Sequence, residues 1–418
     1  MNVRRRSAAA LAAIAVLGAA AAPALAADPT PAPTAHTPSG LFGTSDPQYD
    51  GVWRQSLALL AQRTVGVTPA PKAVDWLTGQ QCADGSFAAF RAEPGKDCDA
   101  KTMVDTNSTG AAVQALAALG GQGEAAGKAV GWLKSVQNED GGWGYTPGGP
   151  SDANSTSVVI GALAAAGEQP GNVKKGEKGG KSPYDALLSF ALPCDDPKGA
   201  GAFAYQPEKD GSLAANADAT AAAVLGALGK GFAAEAGKGA EGGCADKPTP
   251  EQAAAAGAAH LAGAVAEKGH LTSAMPGAED QPDHGNTADT VVALAAQGGA
   301  ERAAKPLAWL EKNGGAWAEQ AGPAAWAQLV FAAHATGTDP RAFGGTDLVA
   351  GLNATGPAPQ EAAASTAPGK EAGQKDEKND EKNDDSSGFG LWWYVGVFLV
   401  AGAGIGFLLS GRARKRNT

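Results

Sequence analysis

"WLKSVQNEDGGWGYTPGGPSDANSTSVVIGALAAAG" occupies Trp132 to Gly167, and its phrasing has already occurred once upstream. From Trp76 to Gly120 the chain carries "WLTGQQCADGSFAAF" and then "DTNSTGAAVQALAALG"; Trp76 and Trp132 are 56 positions apart, as are Asp84 and Asp140. Self-similarity at such a period marks a repeat architecture, in which one supersecondary unit buries its apolar face only by packing on the next.

The repeated unit is a helix, a turn and a second helix. Five Ala-rich apolar segments close on glycine: Thr109 to Gly120, Thr156 to Gly167, Thr220 to Gly231, Thr287 to Gly298, and Trp326 to Gly337. Each is about three helical turns long with a glycine stop. A first helix precedes each one: "AVDWLTGQ", "AVGWLKSVQ", "YDALLSFAL", "AAAAGAAHLAGAV" and "PLAWLEKN". A Gly-rich turn with an aromatic joins the members of a pair, as in Gly85 with Phe87, Gly142 with Trp143, Gly201 with Phe203, and Gly315 with Trp317.

The two ends of the body supply a sixth pair. "FGGTDLVAGL" (Phe343 to Leu352) begins like a first helix, and "DGVWRQSLALLAQRTVG" (Asp50 to Gly66) reads like a second. If these dock, no apolar edge remains. The expected fold is therefore all-α, a closed (α/α)6 toroid of six helix pairs over residues 41–352 with the second helices as an inner barrel. That inner set is apolar all round, as helices buried on both faces are. The outer helices carry charges such as Asp75, Lys134, Glu311 and Lys312.

The flanking segments set the compartment. Residues 1–26 combine Arg4, Arg5 and Arg6 with an apolar run and "ALA" at Ala24 to Ala26, the pattern of a secretory signal peptide. Leu391 to Ser410 is a run of 20 uncharged residues, followed by Arg412, Arg414, Lys415 and Arg416. Such a run spans a hydrocarbon core of about 30 Å and keeps its basic tail cytoplasmic. The expectation is a single transmembrane helix over 391–410, a cytoplasmic tail over 411–418, and a folded domain outside the cell membrane. Residues 356–387, ending in "KDEKNDEKNDD", have too little apolar surface to fold and read as a disordered tether. Four cysteines in an oxidising compartment imply two disulfides; three pairings exist, and proximity favours Cys82 with Cys98 and Cys194 with Cys244. Their spacing, without a CxxC, argues against a metal. A formal charge of −10 argues against nucleic acid.

A polar phrase opens the inner helices. Asp105, Asn107 and Thr109 correspond to Asp152, Asn154 and Thr156, then to Asn216, Asp218 and Thr220, then to Asp283, Gly285 and Thr287; the fifth pair departs, with Gly322 and Trp326. Capping of free backbone N–H groups accounts for such residues at helix starts. Parallel inner helices also place all the caps at one mouth of the barrel, a polar ring able to hold a ligand, with Phe90, Tyr145, Tyr205 and Trp326 as aromatic walls.

"QNEDGGWG" after "WLKSV", and "QCADGSF" after "WLTGQ", resemble the squalene cyclase-type repeat of the terpenoid cyclase and protein prenyltransferase toroids, with Gln137 and Trp143 at its Gln and Trp. The resemblance implies the fold but not the activity, because that toroid hosts cyclases, zinc transferases, thioester domains, lyases and cobalamin carriers. A protonating cyclase of this kind needs an Asp-x-Asp-Asp cluster, which is missing; Asp195 and Asp196 lack a third acid. At 6% aromatic residues, a cavity that stabilises cations is poorly supplied. A zinc transferase needs Asp, Cys and His together, and His284 after Asp283 has no such Cys. "GGCAD" lacks the Gln of an internal thioester.

These absences point away from catalysis. In character the chain is nearest to the helical domain of the extracellular cobalamin carriers, although no strand-rich segment follows Leu352. The expected function is a non-catalytic cell-surface binding protein, capturing a small ligand, corrinoid-like or other, for a membrane transporter or partner protein. The alternatives are a secreted cyclase-, prenyltransferase- or lyase-like enzyme using Asp152 or Asp218, and a structural surface scaffold.

Overall fold

Alternating apolar and one-faced stretches become twelve α-helices among the described residues: α1 (Gly51–Thr64), α2 (Pro71–Gly79), α3 (Thr106–Leu119), α4 (Gly123–Ser135), α5 (Ala153–Ala165), α6 (Pro183–Leu188), α7 (Ala217–Ala227), α8 (Pro250–Ala264), α9 (His284–Gly298), α10 (Ala304–Ala321), α11 (Pro323–Thr336) and α12 (Leu348–Ala354). The structure is a computed structural model that describes residues 38–176, 179–239, 244–273 and 280–361. Two short strands, β1 (Leu271–Ser273) and β2 (Gln281–Asp283), pair antiparallel with Leu271 opposite Asp283. The chain is mostly helical, as its periodicity requires.

The odd-numbered helices are the deeply buried ones, and they contact one another in a cyclic order. α1 packs on α3, α3 on α5, α5 on α7, α7 on α9, α9 on α11, and α11 on α1. Small residues permit the close approach: a Cβ at Gly110 would lie 2.7 Å from a Val158 methyl, and one at Gly226 would lie 2.7 Å from Ser157 Oγ. Each even-numbered helix packs on the odd-numbered helix before it in sequence. α10 buries only Pro306, Leu310, Gly314 and Ala318, every fourth residue, which is the single apolar stripe of a surface helix.

The two ends of the folded region meet. Gly43 N donates to Thr355 O at 2.7 Å, Gln62 Nε2 to Asn353 Oδ1 at 2.7 Å, and Gln360 N to Thr68 O at 2.9 Å. Gly356 lies against the Phe42 ring. The buried Arg54 guanidinium fixes the entering chain by donating to Phe42 O, Ser45 O, Ser45 Oγ and Asp50 Oδ1 at 2.7 to 2.9 Å. Both disulfides are formed, Cys82 with Cys98 and Cys194 with Cys244.

Two details differ from the sequence reading. Helices α3, α5, α7, α9 and α11 start three residues earlier than the repeated Thr or Trp, because the preceding Asp, Asn or Gly, not that residue, is the N-cap. Gly315 and Trp317 do not form a turn: α10 runs straight through them. Gly314 there makes room for Leu329 of α11, and Gly315 makes room for Thr346. The expected signal (1–26), the tether residues 362–387, the span (391–410) and the basic tail (411–418) lie outside the described residues. Among the described residues no helix is long and apolar enough to cross a membrane.

Candidate functional site

The repeated polar phrase divides, position by position, into structural and cavity-facing roles. Its first members are caps: Asp105 accepts from Ser108 N at 2.6 Å, Asp152 from Ser155 N at 2.6 Å, Asn216 from Ala219 N at 2.8 Å, and Asp283 from Asn286 N at 3.0 Å. Each satisfies a helix N–H that has no intrahelical partner. Burial pushes the Asp105 and Asp152 carboxyls above the usual carboxylate range.

The third members are clamps. Thr109 Oγ1 accepts from Phe87 N, Thr156 from Trp143 N, Thr220 from Phe203 N, and Thr287 from Leu271 N, all at 3.0 or 3.1 Å. Thr109 and Thr220 hydroxyls donate in turn to Asp105 O and Asn216 O. Each threonine therefore ties the turn between paired helices to the first turn of the inner helix, and its hydroxyl is committed to the backbone.

The middle members face inward. Asn107, Asn154 and Asp218 line a cavity of about 270 Å³ to which all six odd-numbered helices contribute. Trp53 and Leu57 come from α1, Val158 from α5, Leu225 from α7, Asp289 and Val292 from α9, and Gln328 and Phe331 from α11. Spacings of three and four residues put these on one stripe of each helix. Asp289 occupies the place one turn beyond Gly285, where the phrase first departs from a polar residue. Gln328 stands in the same relation to Ala324 on α11. Neither was legible from the repeat, whose signal stops at the first turn.

The last wall arrives from outside the helices. Between Leu228 and Gly237 the chain crosses from α7 to α3 and α9: Phe232 N donates to Gln114 Oε1 at 3.0 Å, and Gly237 N to Ala295 O at 2.9 Å. Phe232 enters the cavity lining, edge-on to Trp53 at 5.4 Å and stacked with Phe331 at 6.5 Å between ring centroids.

Polar contacts within the cavity run across helices. Asn154 Nδ2 donates to Asp218 Oδ2 at 2.6 Å, and Gln328 Nε2 to both Asp289 oxygens at 3.0 and 3.1 Å. Asn107 Oδ1 and Asn154 Oδ1 are buried and have no protein partner among the described residues. Burial, reinforced by the neighbouring Asp218 charge, pushes the Asp289 carboxyl up to about 7; the surface it retains faces the cavity, and protein otherwise encloses it. Asp218 is also raised, by burial first, with the Asn154 hydrogen bond opposing.

The expected aromatic residues lie outside this cavity, although Tyr145 stands beside the capping Asp105 and Tyr205 hydrogen-bonds the capping Asp152. Phe90, stacked on Trp76 at 6.4 Å, and Tyr145 line a separate outer cleft of about 560 Å³ beside the Cys82–Cys98 loop, together with Asp105. Tyr205 is 42% exposed. Trp326 is buried against Gly351 of α12 and does not reach the cavity, because at that position α11 turns its side chain outward to the partner helix. The cavity's own aromatics are Trp53, Phe232 and Phe331. Among the described residues no group of His, Cys, Asp and Glu is placed to hold a metal ion.

No protein-family model matches this chain, and no curated protein is significantly similar to it in sequence. Solved structures that resemble it include ent-copalyl diphosphate synthase from Streptomyces platensis, at 16% identity and a TM-score of 0.43, over 69% of this chain and 50% of that one. A protein from Actinoplanes aligns at 20% identity and a TM-score of 0.29, over 62% and 81%. A sugar epimerase from a ruminal bacterium aligns at 14% identity and a TM-score of 0.38, over 61% and 74%. The chain thus spans half the length of the synthase it resembles.

Proposed function

We propose that the six helix pairs form a closed (α/α)6 toroid whose inner cavity binds a small molecule, and that the protein is a non-catalytic capture protein held at the cell surface by a C-terminal transmembrane helix. The cyclic order of helix contacts and a cavity lined from all six odd-numbered helices support the toroid. Two disulfides fit an extracellular domain, and the uncharged run at Leu391 to Ser410 fits a single span.

One observation carries the binding reading. Asn107 and Asn154, each with a buried amide oxygen that has no protein partner among the described residues, line a cavity whose other side is aromatic and aliphatic. Unpaired buried acceptors cost about 1–3 kcal/mol each, which a bound molecule with donors recovers. At about 270 Å³ the cavity lies just under the roughly 300–1,000 Å³ typical of drug-sized ligands, so its occupant has few heavy atoms and is not corrinoid-sized. A transporter in the same membrane is the natural recipient of such a ligand.

Asp289 favours a second reading. A carboxyl that keeps its proton near neutral pH, beside Asp218 in an enclosed cavity, has the makings of a general acid for a cyclase- or lyase-like reaction. Native mass spectrometry of the full chain, purified in detergent from the producing cells, separates the readings. An unmodified small mass retained by the folded protein supports capture, release of a transformed mass on incubation supports catalysis, and a bare chain in every preparation supports a scaffold.

A further inference from the structure

We infer that the occupant of the inner cavity is a small organic cation of the alkylammonium or quaternary ammonium class, held between the Asp218 and Asp289 carboxylates and the rings of Trp53, Phe232 and Phe331. This rests on the small-ligand reading above and adds charge and shape to it.

The first argument is an accounting of donors. A carboxylate only accepts, so the 2.6 Å contact to Asp218 fixes the Asn154 amide with Nδ2 toward the acid and Oδ1 away from it. Gln328 Nε2 in turn serves both oxygens of Asp289, which requires that carboxyl to be ionised, the form a bound cation favours. With one amide nitrogen turned to each acid, the carbonyl oxygens of Asn154 and Gln328 are directed away from the carboxyl groups. Two carboxylates and two amide carbonyls form a surface made to receive N–H groups or positive charge.

Charge balance leads the same way. Among the described residues no Lys, Arg or His lines the cavity, so Asp218 and Asp289 share it without a cationic partner there. A buried carboxylate is costly until it is paired. Helix N-termini contribute roughly half a positive charge each, but that influence fades beyond the first turn. Asp218 is the second residue of α7 and feels it; Asp289, the sixth residue of α9, lies past it. A ligand cation is the counter-charge the site lacks.

The aromatic wall supplies the complementary contact. Trp53, Phe232 and Phe331 meet at centroid separations of 5.4 and 6.5 Å, a cluster of ring faces and edges on the cavity. A cation within about 6 Å of a ring centroid is attracted to its face, and the attraction grows when water is excluded. Carboxylates on one side and rings on the other select a small, methylated or alkylated cation over a hydrated metal ion, which would gain nothing from the rings.

The test is isothermal titration calorimetry of the full chain in a nonionic detergent, with tetramethylammonium and choline as probes and 3,3-dimethyl-1-butanol as the uncharged counterpart of choline. At least one cation is expected to bind, and choline to bind at least tenfold tighter than the alcohol. Asp289→Asn is expected to weaken the cation at least tenfold while its unliganded melting temperature holds or rises, a combination that a purely structural role for Asp289 does not give. Trp53→Leu weakens it as well, with a melt to confirm folding, and Glu319→Gln on the exposed face of α10 leaves it unchanged. Equal binding of choline and the alcohol overturns the charge assignment while leaving a small-ligand cavity. Binding of neither cation also overturns it, and the native mass spectrum then decides the small-ligand reading by itself.

Discussion

Asn154 on α5 and Asp218 on the neighbouring α7 are joined by a 2.6 Å hydrogen bond along the cavity wall, and Asn154 Oδ1 is left buried without a protein partner among the described residues. The two residues hold equivalent places in successive repeats, so the repeat that builds the helix pairs also builds the polar lining of the cavity.

Asn154→Ala removes both the bond to Asp218 and the orphan acceptor. The expected result is loss of the retained small mass in native mass spectra, with a change in unfolding free energy of no more than about 1–2 kcal/mol in urea titration. Unfolding of the variant at room temperature would assign Asn154 to stability instead.

The clamp threonines are expected to behave in the opposite way. Thr109→Val, Thr156→Val and Thr220→Val keep shape but leave the Phe87, Trp143 and Phe203 amides unpaired in the interior. Each is expected to cost about 1–3 kcal/mol in denaturant unfolding while ligand retention persists.

Asp289 gives a pH dependence of known sign. Its folded-state value of about 7 lies above its ordinary 3.8, so the folded chain holds this proton more tightly than the unfolded one. Below about pH 4 the group is neutral in both states and contributes nothing. Between about 4 and 7 the unfolded chain ionises first and stability falls; above 7 the loss is complete. Asp289→Asn is therefore expected to be neutral at pH 4 and to stabilise the unliganded protein by about 2 kcal/mol at pH 8, discounted for the polar cavity it faces. Equal stability of the two proteins at pH 8 would remove the basis for this assignment.

Gly231 tests the segment that carries Phe232. A Cβ there would stand 2.1 Å from Gln114 Oε1, the acceptor of the Phe232 amide. Gly231→Ala is expected to raise hydrogen exchange at that amide about tenfold, the scale of one lost hydrogen bond, and to weaken binding in the cavity.

Reduction of Cys194–Cys244, which closes a 50-residue separation, is expected to lower stability by about 2–4 kcal/mol. Paired Cys194→Ser and Cys244→Ser substitutions, followed by urea unfolding, measure it.

Helix pairs were legible because "WLKSVQNEDGGWG" repeats whole phrases, and small inner residues at helical spacing announce burial on both faces. The disulfides followed from proximity. The site was half legible: Asn107, Asn154 and Asp218 stood in the polar phrase, but nothing in it distinguished them from the caps and clamps on either side, since Asp, Asn and Thr serve all three roles. Asp289 and Gln328 lay one turn inside helices whose opening residues, Gly285 and Ala324, had lost the pattern. Phe232 was hidden because a loop has no periodicity, and only the chain's path from α7 to α3 brings it to Trp53. Composition misled on the aromatics: 6% is sparse overall, yet three of them gather on one cavity.

A crystal structure of the protein purified from its own cells, without ligand stripping, tests the central claim most directly. The expected result is density for a small molecule within hydrogen-bond reach of Asn154 Oδ1 and against the Trp53 ring, inside six helices of which α11 touches α1. Helices α1 and α11 lying apart at two ends of an open stack, or a cavity filled only by side chains and water in protein that carries no retained mass, would contradict it.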